Sequence, residues 1–167
     1  MSLWRALLAS GLAGGLAFAG CFALQALLLE GLFLAGVAQP LAWIAVLVAP
    51  PMEEWAKWRA RARFRAPWAL TGLGVGVFEA LLKPLTLGGW MLLAGMTVAV
   101  VQHAAYGGWA RRRGLRFVVL LHMAFNALVL GASVLLGPAM WFVVLPMAAG
   151  LLALSRRPPL DDGKPAP

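Results

Sequence analysis

The sequence predicts an all-α, polytopic membrane protein with about six transmembrane helices and a broken second helix. Of its 167 residues, 62% are hydrophobic and only 12% are charged. A soluble domain of this size cannot bury so large an apolar fraction, whereas membrane helices expose it to lipid. The charges fall in short basic runs between long apolar stretches, which is typical of loops between spans. A basic face for nucleic acid would need polar surroundings, so the formal net charge of +8 does not indicate nucleic-acid binding.

Six apolar segments are the candidate spans, since a helix needs about 20 mostly apolar residues to cross the hydrocarbon core. They are 6–29, 40–55, 68–82, 89–109, 117–136 and 139–154. The second, third and sixth are shorter than that, so a thinner bilayer or polar residues inside the bundle must accommodate them. One helical domain is therefore expected over residues 1–155, followed by a polar, Pro-rich tail at 156–167 that is expected to be disordered.

The distribution of positive charge predicts that the N- and C-termini are both cytoplasmic. With the N-terminus inside, Arg5 and the basic runs 59–65, 111–116 and 156–157 all face the cytoplasm, and only Lys83 lies outside. The tryptophans agree, because amphipathic rings prefer the two membrane interfaces. Trp4, Trp55, Trp58, Trp68 and Trp109 fall near the inner interface, and Trp43, Trp90 and Trp141 near the outer one.

Several acidic, imidazole and amide side chains lie within or beside these apolar segments. They are Glu30, Glu53, Glu54, Glu79, His103, His122 and Asn126. A charged group in a bilayer costs roughly 2.5–3.5 kcal/mol or more, so such groups face the bundle interior and find partners there. We treat them as functional candidates for that reason, and Glu30, near the outer end of the first span, as an interfacial charge.

The second span contains two consecutive prolines followed by two consecutive acids. Pro50 and Pro51 are expected to kink or break the helix, and Pro51 suits the first position of a new helical segment. Glu53 and Glu54 then lie in its first turn, where the helix dipole favours negative charge. Neighbouring residues point about 100° apart, so one glutamate can face the bundle centre while the other pairs locally. The structural alternative is an interfacial ion pair between Glu53 and Lys57.

The other polar residues also have structural alternatives. Glu79, which follows a glycine-rich run, could form a salt bridge with Lys83 one turn later. His103 could be a hydrogen-bonded core residue, and His122 and Asn126, which share one helix face, could form a helix–helix hydrogen-bond pair. By the predicted topology these groups share a similar depth, so a polar cavity open to the cytoplasm is expected if they face one another.

Taken together, the motifs resemble the CAAX prenyl protease and bacteriocin-processing superfamily of intramembrane proteases, and within it the PrsW-type branch. The resemblance covers residues 41–130. Its elements are Glu53-Glu54-x-x-Lys57 after Ala-Pro-Pro, Phe78-Glu79 after the glycines, His103, and His122-Met-Ala-Phe-Asn126. The prenyl-protease pattern instead has Arg one position beyond Lys57, His or Asn at Glu79, and Phe at Val75. These differences favour the PrsW-type branch over prenyl-protein processing.

The resemblance implies a glutamate-type intramembrane endopeptidase in a prokaryotic cytoplasmic (inner) membrane, acting without a cofactor on a membrane-embedded protein or peptide. It implies that the catalytic set is Glu53, Glu54, His103, His122, Asn126 and Glu79. One glutamate would act as general base on water, and a histidine would orient that water or protonate the leaving amine. Asn126 and His122 would donate hydrogen bonds to the oxyanion. Which glutamate is the base, and which histidine assists, stays open at this point.

Two functions from other classes are compatible with the same residues. Glutamate and histidine also bind divalent metals, so a metal-dependent membrane hydrolase is one alternative, although the chain lacks a His-Glu-x-x-His motif. A proton-coupled transporter or channel with Glu and His as a relay is the other. The absence of repeated halves in the sequence argues against a transporter built from repeats.

Overall fold

A computed structural model describes residues 3–85 and 87–156. These residues are helical almost throughout and contain no strand, so the predicted all-α class is confirmed. The elements are α1 (Leu3–Leu34), α2 (Pro40–Trp43), a π-helical turn (Ile44–Val48), α3 (Ala49–Phe64), α4 (Trp68–Ala80), a 3-10 turn (Lys83–Leu85), α5 (Gly89–Arg113), α6 (Leu115–Leu136), a second 3-10 turn (Gly137–Met140) and α7 (Trp141–Arg156). The predicted tail beyond Arg156 lies outside the described residues.

Three helical stretches are long and apolar enough to cross a membrane. They are Leu3–Leu34, Trp68–Leu85 and Leu115–Arg156. Their outward surfaces carry large exposed apolar side chains, such as Leu27, Leu120 and Leu135. Apolar surface on this scale suits contact with lipid rather than water.

The second helix is not broken, because α2, the π-helical turn and α3 follow one another without a gap. Proline has no N–H, so Pro50 cannot donate to a preceding carbonyl. The π-helical turn lets the Ala49 N–H reach the Ile44 carbonyl. The next carbonyl, that of Ala45, accepts a hydrogen bond from Asn126 Nδ2 at 2.8 Å. A side chain from α6 thus supplies a donor beside the prolines, and the helix continues through them.

Two basic runs that were expected to be loops are largely helical. α3 continues to Phe64 and α5 to Arg113, so 59–64 and 111–113 form helix ends. Cationic side chains are favourable at a helix C-terminus, and their long stems can reach toward water from a helix. Arg65 (φ 52°) ends α3 in the left-handed region. Gly114, with φ 84°, makes the turn between α5 and α6.

Five helices form a ring in the order α1, α3, α6, α5, α4, and α7 packs against the outside of α5. Glycines bring α4 and α5 into close contact. A side-chain carbon at Gly72 would overlap the His103 carbonyl oxygen, and one at Gly107 would overlap the Trp68 carbonyl oxygen. The backbones therefore meet without intervening side chains, and this contact sets the position of α5 relative to α4.

The basic ends of the helices gather at one end of the bundle. The Trp109 and Phe117 rings lie 5.4 Å apart, and Arg112 donates to the Leu154 carbonyl at 2.6 Å. The Arg61 guanidinium lies 4.8 Å from the Trp68 ring. The end of α3, the start of α4, the turn between α5 and α6, and the end of α7 therefore share one end of the bundle, as the charge distribution predicts.

Candidate functional site

Five of the six predicted site residues come together inside the ring. α3 contributes Glu53 and Glu54, α4 contributes Glu79, α5 contributes His103 and α6 contributes His122. All lie about two to three helical turns from the basic end. His103, His122 and Glu54 are buried, whereas the Glu53 and Glu79 side chains are 21% and 26% exposed. The group is therefore a buried polar cluster with two carboxylates at its opening.

Glu54 is fully engaged by two neighbours. Its Oε1 atom accepts a hydrogen bond from the Lys57 ammonium one turn later on α3, and both side chains are buried. The same oxygen lies 2.9 Å from His122 Nδ1 on α6. An ionised carboxylate only accepts hydrogen bonds, so Nδ1 of His122 carries the proton and Nε2 of the neutral ring has a lone pair. Glu54 therefore holds His122 in one orientation and one tautomer.

A second set of contacts runs from Lys57 to α5 and α4. Lys57 Nζ lies 3.1 Å from His103 Nδ1, and His103 Nε2 lies 2.7 Å from Glu79 Oε2. Glu79 also accepts a hydrogen bond from Lys83 at 2.6 Å. The predicted alternative of a Glu79–Lys83 salt bridge is thus confirmed, and the same carboxylate also contacts His103. The predicted Glu53–Lys57 pair is wrong, because Lys57 pairs with Glu54 instead.

Glu53 is oriented toward both imidazoles without touching either. Gln25 Nε2 on α1 donates to Glu53 Oε1 at 3.0 Å. The other oxygen, Oε2, lies 3.9 Å from His103 Nε2 and 3.9 Å from His122 Nε2. These separations are too long for direct hydrogen bonds. The two glutamates therefore have different contacts, since Glu54 is engaged by Lys57 and His122 while Glu53 is engaged by Gln25 through one oxygen and directs the other toward the two imidazoles.

The Glu53, His103 and His122 side chains also form the one group among the described residues that has the composition of a metal site. One ligand atom from each lies within 4.8 Å of the others. Two imidazoles and one carboxylate are a ligand set found in catalytic zinc sites. The carboxylate of Glu54 on His122 Nδ1 matches the support that metal-bound histidines commonly have.

Tyr106 forms one wall of the cluster and was not predicted. Its ring centroid lies 4.4 Å from that of His122 and 5.7 Å from that of His103. The Lys57 ammonium lies 5.5 Å from the centre of the ring. The tyrosine is completely buried, and its hydroxyl has no hydrogen-bond partner among the described residues. Its position one turn after His103 is the sequence signal that could have identified it.

Lys57 and Gln25 were also missing from the predicted site. The sequence indicates Lys57 as an interfacial partner of Glu53 and as part of the Glu53-Glu54-x-x-Lys57 motif, but not as a site residue. Gln25 precedes Glu30 on an otherwise apolar helix. Lys57 lies one turn after Glu54, which was a usable signal. No spacing connects Gln25 with Glu53, because the two residues come from different helices.

Asn126 and Glu30 lie outside the cluster. Asn126 is one turn beyond His122 on α6, and its amide donates to the Ala45 carbonyl of the π-helical turn. The predicted helix–helix role of this amide is confirmed, with a backbone carbonyl as its partner. Glu30 is exposed on α1.

Comparison with known proteins adds no relative, because no protein-family model, curated sequence or solved structure matches this chain.

Proposed function

We propose that this chain is an intramembrane endopeptidase that resembles the PrsW type and hydrolyses a peptide bond in or near the membrane with glutamate-activated water. The observation that carries the proposal is the position of Glu53 Oε2, 3.9 Å from the Nε2 atoms of both His103 and His122. The buried surroundings of these groups strengthen electrostatic interactions and exclude bulk water.

Glu53 is the general base of this proposal. A water molecule between Glu53 Oε2 and His122 Nε2 directs one proton at each acceptor and its lone pairs away from both. Attack on the substrate carbonyl transfers a proton from this water to Glu53. The resulting carboxylic acid then gives that proton to the leaving amine, and the carboxylate is restored. Glu54 is a positioning residue, since it acts through His122.

Asn126 is the oxyanion donor of this proposal. One of its two amide N–H groups bonds to the Ala45 carbonyl at 2.8 Å. The second N–H group is on the same amide nitrogen. The Asn126 side chain lies one turn from His122 on the same side of α6. A donor fixed in this way loses little entropy when a tetrahedral oxyanion forms nearby.

The proposal includes six membrane crossings in a prokaryotic cytoplasmic membrane, with both termini in the cytoplasm. The gathering of basic residues at one end of the bundle supports it. In a Cys21→Ser background, Arg113→Cys is expected to react with an impermeant thiol reagent only from the cytoplasmic side. Leu85→Cys, in the 3-10 turn beyond the opposite end of α4, is expected to react only from outside. Labelling of Arg113→Cys from outside alone would refute this orientation.

Cleavage of a panel of single-span reporter proteins by the purified protein in detergent tests the reaction. We expect cleavage by the wild type in the presence of a chelator, and loss of cleavage in His122→Ala. The product termini, read by mass spectrometry, should lie in or next to the reporter's apolar segment. A folded wild type that cleaves no reporter contradicts the proposal and favours the proton-coupled transporter, which pH-driven flux in proteoliposomes would then test.

A metal-dependent membrane hydrolase is the second candidate, because Glu53, His103 and His122 have the composition of a zinc site. In that reaction the metal would activate water, and Glu53 would serve as a ligand. Cleavage that a chelator abolishes and added Zn²⁺ restores would favour this candidate over the glutamate peptidase.

A further inference from the structure

We infer that Lys57 is a positioning residue that fixes His103 in the tautomer with its proton on Nε2. This keeps the Glu53–His103–His122 group as a water site and makes it a poor metal site. The inference rests on the proposed function where it names water as the occupant. The tautomer and the metal affinity, however, are both measured without a substrate.

The contacts of Lys57 carry the inference. Lys57 is buried, and its ammonium contacts the Glu54 carboxylate and lies 3.1 Å from His103 Nδ1. An ammonium has three N–H donors and no lone pair, so His103 Nδ1 must accept the hydrogen bond. The proton of the neutral ring then lies on Nε2, which points at Glu79 Oε2 at 2.7 Å. Because a carboxylate needs a donor, Lys57 and Glu79 select the same tautomer.

This tautomer conflicts with metal binding at the cluster. An imidazole binds a metal only through an unprotonated nitrogen, and His103 has its proton on the nitrogen nearer Glu53. The buried ammonium adds a repulsive positive charge nearby. His122 has the opposite tautomer, with Nε2 unprotonated, so it could serve as a ligand. Glu53 and His122 alone are fewer ligands than the three that catalytic zinc sites use.

Nitrogen-15 NMR of histidine-labelled protein in detergent reads the tautomers directly. The chain has two histidines, so only two rings contribute signals. We expect His103 with a protonated Nε2 and His122 with a protonated Nδ1. Because Glu79 alone still favours a proton on Nε2, Lys57→Gln is combined with Glu79→Leu. The His103 proton is then expected to move to Nδ1, where the introduced amide oxygen can accept it. Glu79→Leu alone keeps the Lys57 donor and is expected to keep the proton on Nε2. Lys57→Arg keeps N–H donors and charge at this place and is expected to retain the wild-type His103 signal.

Metal binding gives the second readout. We expect Lys57→Gln to bind Zn²⁺ and Co²⁺ at least about tenfold more tightly than the wild type, the lower end of what changes around metal ligands produce. The gain should disappear when Glu53→Gln is added. Lys57→Arg should bind these ions no more tightly than the wild type does.

Three results would overturn the inference. They are a wild-type His103 with a protonated Nδ1, stoichiometric Zn²⁺ binding by the wild type that His103→Ala removes, and a folded Lys57→Gln/Glu79→Leu variant in which His103 keeps its proton on Nε2. If the variants without Lys57 do not fold, the spectrum of Glu79→Leu decides, because Lys57 is then the one of the two residues left to hold the proton on Nε2. Failure of the proposed function is distinguishable from failure of this inference. In that case the wild type would have the expected tautomers but would cleave no reporter.

Discussion

Replacing Glu53 with glutamine is expected to lower the rate of reporter cleavage by about 10²- to 10⁴-fold, the range that general base catalysis contributes. The amide keeps the size of the side chain and an oxygen for Gln25, but it cannot take a proton from water. We therefore expect the folded yield and the thermal unfolding temperature in detergent to change little. The cleavage rate at saturating reporter concentration is the decisive measurement.

Glu30→Gln is the matched control, because it makes the same chemical change at an exposed glutamate on α1. It should cleave at the wild-type rate. Glu54→Gln should also lose activity, but together with stability, since the buried Lys57 ammonium would lose its charged partner. Wild-type cleavage by Glu53→Gln would remove Glu53 as the base.

Replacing Gly72 with alanine is expected to destabilise the protein and inactivate it together. The added methyl group would overlap the His103 carbonyl oxygen, which is backbone of α5 and cannot rotate away. Either α4 and α5 separate or His103 moves relative to Glu79. Overpacking of this kind typically costs about 1–3 kcal/mol, and more where the backbone must shift. The unfolding temperature and the cleavage rate of the purified variant measure the two effects.

Gly11→Ala is the control for this change. Gly11 is also in the interior of a helix, but a methyl group there would meet no atom within 4 Å. Since alanine favours helix by about 1 kcal/mol over glycine, Gly11→Ala is expected to be as stable as the wild type or slightly more stable. Equal effects of the two substitutions on the unfolding temperature and the cleavage rate would show that the contact between α4 and α5 does not determine stability or activity.

Most helix positions could be predicted from the sequence, because apolar runs and their breakers are local signals. Three predicted starts, at Pro40, Trp68 and Gly89, coincide with helix starts in the structure. The ends were less predictable, since a charged residue can continue a helix into the interface by extending its side chain. For that reason the sequence predicts a loop at 59–65, whereas 59–64 is helical.

The site was predictable in composition and only partly in geometry. Polar groups in apolar helices indicate Glu53, Glu54, Glu79, His103 and His122, since each needs partners inside the bundle. Which glutamate meets Lys57 depends on the rotation of α3, because spacings of three and four residues both permit a pair. The packing of α3 against α1 and α6 sets that rotation. For the same reason Gln25 could be identified only from contacts between helices.

The two ion pairs of the cluster have a consequence for how the chain enters the membrane. Glu54 and Lys57 belong to the same helix, and so do Glu79 and Lys83. In the proposed topology of six crossings, each of these acids therefore enters the bilayer with a cation about one helical turn away on its own helix, before α5 and α6 bring the histidines. Glu53 has its partner Gln25 on α1, which is made earlier. Each acid of the cluster thus has its first partner on its own helix or on an earlier one. The free-energy cost of inserting each carboxylate is therefore reduced before the later helices are synthesised.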